Sequence, residues 1–151
     1  MNQKKGFTLV ELLVVIAIIG LLSTLAVIAL GSARSKARDA RRISDIKQVQ
    51  TALELHFADQ GSYPLAASAV TLGDATHDAL HSSGLGASGS IPAGAEVYMG
   101  QVPAQLNTPN GIQPYSYTSA DGTTYSILFA LEGKVGDLGP GALTASPEGV
   151  K

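Results

Sequence analysis

The segment Phe7-Thr8-Leu9-Val10-Glu11-Leu12-Leu13-Val14-Val15-Ile16-Ala17-Ile18-Ile19-Gly20-Leu21-Leu22-Ser23-Thr24-Leu25-Ala26-Val27-Ile28-Ala29-Leu30 decides how the chain is built. Nineteen of its 24 residues are apolar, the exceptions being Thr8, Glu11, Gly20, Ser23 and Thr24. A hydrocarbon core about 30 Å thick takes about 20 apolar residues as a helix, so the segment is long enough to span a bilayer. A cleaved secretory signal is the competing reading, with Lys4 and Lys5 as its basic start. Two features oppose it. The apolar run exceeds the roughly 7 to 15 residues of such a signal, and Arg34, Lys36, Arg38, Arg41 and Arg42 continue a helix where a cleavage site would stand.

Outside this segment roughly 120 residues remain, enough for one modest core. The apolar segment explains why 45% of the 151 residues are hydrophobic and only 15% charged, against about 25% charged in ordinary soluble proteins. The absence of Cys excludes a disulfide scaffold or Cys-ligated metal, 17 Gly and 7 Pro argue against a coiled-coil rod, and a net charge of -2 argues against a basic nucleic-acid binder. Charge is split: residues 1–60 hold eight Lys/Arg against five Asp/Glu, whereas residues 61–151 hold two against seven. Basic residues flank the apolar run on both sides, so the positive-inside rule leaves its orientation open.

Glu11 is the costly residue. A carboxylate in hydrocarbon costs roughly 3 kcal/mol on insertion scales, which marks it as functional unless it reaches up to water from near the helix end. Gly6, Phe7-Thr8-Leu9-Val10-Glu11 and the apolar residues that follow, behind the basic leader Met1 to Lys5, resemble the class III signal of the type IV pilins and the pseudopilins of type II secretion. The resemblance implies cleavage between Gly6 and Phe7 by a prepilin peptidase and methylation of the new Phe7 amine. It implies that Glu11 neutralises the N-terminal amine of a neighbouring subunit during assembly; an unpaired charge in a dry bundle costs several kcal/mol, and a registered pair relieves two. It also supplies the orientation, with the leader cytoplasmic and the globular part outside. One departure stands out: the family often has Pro where this chain has Ile28, so any local unwinding would centre on Gly20.

Ile43, Ile46, Val49, Leu53 and Phe57 recur at steps of three and four and put one apolar face on a continuing helix. The helix should stop near Gly61, with Pro64 beyond it. The boundary Asp59-Gln60-Gly61-Ser62-Tyr63-Pro64 again resembles pilins, pseudopilins in particular. Unbroken from Phe7 to Asp59, such a helix measures about 80 Å, too long for a domain of this size to bury. Leu72 to Leu80 suggest a short helix, and Ser82 to Ser90 read as loop. Pro114–Thr118 and Thr123–Leu131 around Asp121-Gly122 predict a hairpin, with Tyr115 and Tyr117 on one face and Tyr125, Ile127 and Phe129 on one face. Val97-Tyr98-Met99 suggest a third strand, and the tail from Gly133 reads as an irregular surface strip. The expected fold class is α+β: a long N-terminal α-helix, apolar then amphipathic, packed on a small antiparallel β-sheet. Its parts are a leader (1–6), a transmembrane and assembly helix (7–31), the amphipathic continuation (32–60) and a globular head (61–151).

Little enzymatic chemistry is legible. His77 and His81 stand four apart, which on a helix lets two ligands share a metal, but no third ligand is apparent. The Gly-rich stretch 84–89 lacks the Lys of a phosphate loop. Asp121 and Asp137 are a minor alternative for calcium, which the resemblance to major pseudopilins suggests; a hard-cation site needs six to eight oxygens and no acidic loop supplies them. The expectation is therefore no enzyme and no obligatory cofactor. Arg34, Lys36, Arg38, Arg41 and Arg42 read as a solvated or membrane-surface face, or as subunit contacts to acidic heads; DNA binding lacks interleaved aromatics.

The leading expectation is a filament subunit, held in the cytoplasmic membrane as a single-pass precursor and polymerised through its helix into a type IV pilus. The alternatives are a pseudopilin of a type II secretion system and a single-span anchored binding protein that never polymerises. The absence of Cys, which rules out the C-terminal disulfide common in pilins, tilts toward the pseudopilin side. The implied partners are copies of itself, the prepilin peptidase, an inner-membrane assembly platform with minor pilins, and lipid before assembly. The filament itself would lie outside the cell or in the periplasm.

Overall fold

A single helix, α1 (Leu9–Gln60), dominates the computed structural model, which describes residues 6–105 and 112–151. The leader residues Met1 to Lys5 lie outside the described residues. By its internal contacts the chain divides into two units, residues 1–35 and 36–151. In the first, every large apolar side chain from Leu9 to Leu30 is between 47% and 78% exposed. Apolar surface left in water costs about 25 cal/mol per Å², so this segment requires lipid or other protein around it. α1 is the one described helix that is long and apolar enough to cross a membrane. It continues as regular helix through both Gly20 and Ile28.

In the second unit α1 turns an apolar face inward. Ile46, Val49, Ala52 and Leu53 are buried, and Ile43 is partly so. Phe57, expected to extend that face, is 37% exposed; His56 takes the inward position and is 4% exposed. A period of 3.6 explains the change, since steps of four drift around the helix until position 56 faces the core better than 57. Phe57 instead lies against Tyr63, ring centroids 4.6 Å apart. Gly61 ends the helix at φ +74, its N–H donating to the Phe57 carbonyl at 2.8 Å, the left-handed stop that Gly adopts without steric penalty.

The strands are β1 (Ala66–Thr71), β2 (Ala79–His81), β3 (Gly84–Gly86), β4 (Val97–Met99), β5 (Ser116–Ser119), β6 (Ser126–Leu131), β7 (Gly141–Ser146) and β8 (Gly149–Val150). They form an antiparallel sheet in the order β1-β5-β6-β7-β8 and a small second sheet in the order β3-β2-β4. Tyr115, Tyr117, Tyr125, Ile127, Phe129, Leu131 and Ala145 share one core with the inward face of α1. The tyrosine hydroxyls find partners, as buried ones must: Tyr117 donates to the Pro64 carbonyl at 2.7 Å and Tyr115 to Asp45 at 3.2 Å. The fold is α+β.

Three expectations fail in the head. Residues 73–78 form turns rather than a helix, because Asp74 Oδ1 accepts from the N–H groups of Thr76 (2.9 Å) and His77 (2.8 Å), a local pattern that competes with helix. Gly73 there has φ +73, and a Cβ on it would meet Ala104 backbone at 2.5 Å. The stretch 82–90, read as loop, contains β3, paired with β2 through Leu80 and Leu85, and a 3-10 turn at Ser88–Ser90. The tail is not irregular: β7 runs beside β6 over five residue pairs, from Ile127↔Ala145 to Leu131↔Gly141.

Candidate processing and assembly site

The start of α1 is built by two residues. Thr8 N–H and Thr8 Oγ1 each donate to Glu11 Oε2 at 2.8 Å, and Glu11 N–H donates back to Thr8 Oγ1 at 3.3 Å. This is a reciprocal helix cap, in which a Thr three residues ahead of a Glu satisfies backbone donors that the first turn would otherwise leave open. Both Thr8 donors converge on Oε2; among the described residues Glu11 Oε1 receives no hydrogen bond. Phe7, directly before the cap, is 88% exposed, and Gly6 has nothing within 4 Å of where a Cβ would stand. The junction named for cleavage is therefore open to another protein. Thr8 joins Glu11 in this cap, and Thr-x-x-Glu before an apolar run is itself a sequence signal.

The basic run separates into two sets. Arg34, Lys36 and Arg41 are exposed. Arg38 and Arg42 are engaged within the chain. Arg38 grips Glu132 with two bonds of 2.7 and 2.6 Å, while Arg42, fully buried, donates to Glu132 at 2.9 Å and to Asp39. Asp39, also buried, accepts in turn from the N–H groups of Glu132 (2.9 Å) and Gly133 (2.8 Å). Hydrogen bonds from Arg38, with those from Arg42 and the charge of both, hold the Glu132 carboxyl down to about 2 despite the opposing effect of burial. Asp39 and Glu132 were not legible as partners, since 93 residues separate them.

The remaining chemical candidates are not brought together. His77 lies in the turn, with Nδ1 3.2 Å from Asp74, while His81 lies in β2 and is buried, so their spacing of four places them on no common helix face. Asp121 is occupied by its own turn, accepting from Thr123 N–H at 2.9 Å and Thr123 Oγ1 at 2.8 Å, and these bonds pull its pKa below the usual range. Asp137 sits in the short turn closed by the Val135 and Leu138 bridge. No three His, Cys, Asp or Glu residues gather as metal ligands among the described residues. The segment 84–89 is strand and turn.

A family described as the prokaryotic N-terminal methylation motif matches residues 1–32. The type II secretion system core protein G of Escherichia coli (strain K12) is 40% identical over 63 residues, covering 42% of this chain and 43% of that protein. Those of Pectobacterium carotovorum subsp. carotovorum (39% over 62 residues; 41% of this chain, 40% of that protein) and Aeromonas hydrophila (39% over 63; 42% and 44%) are similar. The chain thus spans less than half the length of the curated relatives it matches. No solved structure matches it. The methylation motif, the exposed apolar helix that it opens and the secretion-system relatives agree with one another: the N-terminal part of the chain is similar to the type IV pilins and the type II secretion pseudopilins.

Proposed function

We propose that this protein is a structural subunit of a type II secretion pseudopilus, stored in the membrane through α1 and drawn into a filament after removal of its leader. The observation that carries the proposal is the similarity to core protein G, joined on one helix to the methylation motif. It favours the pseudopilus over the surface pilus, for which support stops at the family. The apolar surface of residues 9–30 has two uses, first against lipid and then against copies of itself. Glu11 gives the exchange its register. With Oε2 held by Thr8, Oε1 is free to accept the methylated Phe7 amine of a neighbour, which removes two unpaired charges from the apolar bundle.

Mass spectrometry of assembled material tests the processing step. An N-terminus at methylated Phe7 is the expected result, and an intact Met1 to Lys5 leader in filaments overturns it. Glu11→Ala should still be cleaved but assemble poorly; filaments in normal yield from that variant remove the pairing role. A chain that stays monomeric beside its own secretion machinery would return the reading to an anchored, non-polymerising protein.

A further inference from the structure

Leu55 lies on α1 outside the core, with 53% of its surface open, although the buried side of the same helix already carries Ile46, Val49, Ala52 and Leu53. With Ala58 and Asp59, and with Glu96, Val97 and Tyr98 at β4, it lines a groove of about 410 Å³. Val97 is also 46% exposed. Two carboxylates flank this apolar floor. Asp59 accepts from the Tyr98 hydroxyl and from Gln60 Nε2, bonds that hold its carboxyl below the usual range. Glu96 is tied into the fold through its backbone: its N–H donates to Ser82 Oγ at 3.2 Å and its carbonyl accepts from Ser82 N–H at 2.8 Å. Among the described residues no Lys or Arg lines the groove.

Cations that match it stand on the same chain. Lys36, Arg41 and Lys47 are exposed on α1, and among the described residues none of them makes an ion pair. At 1.5 Å per residue, Lys47 lies about 18 Å along the helix from Asp59, too far to pair within one copy, and Arg41, about 120° around the helix from Lys47, lies on another face. Copies anchored in one membrane by α1 run parallel, and a parallel copy displaced along the helix by that amount brings Lys47 level with the groove.

We propose that this groove is a contact between copies of the chain: Leu55, Ala58, Val97 and Tyr98 receive the exposed α1 face around Lys47 of a displaced parallel copy, with Asp59 and Glu96 meeting that cation. The inference rests on the filament reading and adds which surfaces of the heads meet. A patch and its complement offset along one axis leave a free patch at each end of any pair, so the contact propagates as an open helical row instead of closing into a dimer. Opposite charges at the rim fix the register, and the apolar floor is covered in the same step.

Charge reversal tests it in the full-length processed chain, with filament yield as the readout. Glu96→Lys alone and Lys47→Glu alone should each lower assembly at least tenfold, with unchanged membrane content and unchanged thermal unfolding in detergent. Joining the reversals in one chain, or co-expressing the two variants, should restore filaments. Normal yield from the single reversals, or no recovery on combination, overturns the contact while wild-type filaments leave the filament reading standing. Failure of the wild-type chain to polymerise removes that reading, and this contact with it.

Discussion

Arg42 on α1 donates to Glu132 at the end of β6 across 2.9 Å, joining residues 90 positions apart where both side chains are removed from solvent. Arg38 and Asp39 complete the cluster, and each of its carboxylates takes a backbone or guanidinium donor on more than one side. Removing one partner from a buried set strands the others. Glu132→Ala should therefore cost about 3 kcal/mol of head stability, read as denaturant unfolding of the full chain in detergent by circular dichroism. A loss below about 1 kcal/mol would show that the cluster is relaxed in solution.

The same carboxylate gives a pH signature. Its folded value, about 2, lies below the ordinary 4.5, so its contribution to stability is complete above about pH 4.5 and disappears as pH falls toward 2. Thermal unfolding of the wild-type chain should fall through that window. In Glu132→Gln the part of the fall assigned to this group should be missing, leaving a flatter profile from a lower starting point.

Thr8 and Glu11 make a separable prediction. Thr8→Ala removes the hydroxyl partner and should fray the helix start by a factor of about five, the usual worth of such a cap. Thr8→Ser should retain it. Amide exchange of residues 8–12 in detergent, with filament yield alongside, compares the two; equal protection in Ala and Ser would show that the cap is idle.

Leu53 and Leu55 stand two positions apart on α1 and should respond in opposite ways. Leu53 is fully buried, so Leu53→Ala leaves a cavity and should cost about 3 kcal/mol in unfolding of the head. Leu55→Ala should change monomer stability by under about 0.5 kcal/mol and lower filament yield instead. Matched stability losses from the two would place Leu55 in the fold and not at a contact.

What could be read from the sequence followed from how local its causes are. The apolar segment 7–30, the stop at Gly61 and the Tyr115 to Phe129 hairpin rest on patterns only a few residues wide, and each lies where its residues place it. The turn at residues 73–78 depends on Asp74 folding back on its own backbone, which a helix-like apolar spacing conceals. β7 pairs despite nearby Gly and Pro because β6 offers it a neighbouring edge, a tertiary fact without local signature. Arg38 and Arg42 are indistinguishable from Arg34 and Arg41 until the fold brings Glu132 to them, so the run read as one surface is two.

The Arg38, Asp39, Arg42 and Glu132 cluster also has a mechanical meaning. It occupies the first turns of α1 that belong to the head, which begins at residue 36, and it grips the end of β6, a strand with neighbours on both sides. Load on this end of the head's helix is thus shared by several charged bonds. Within the head, the helix is riveted to the sheet where that unit begins.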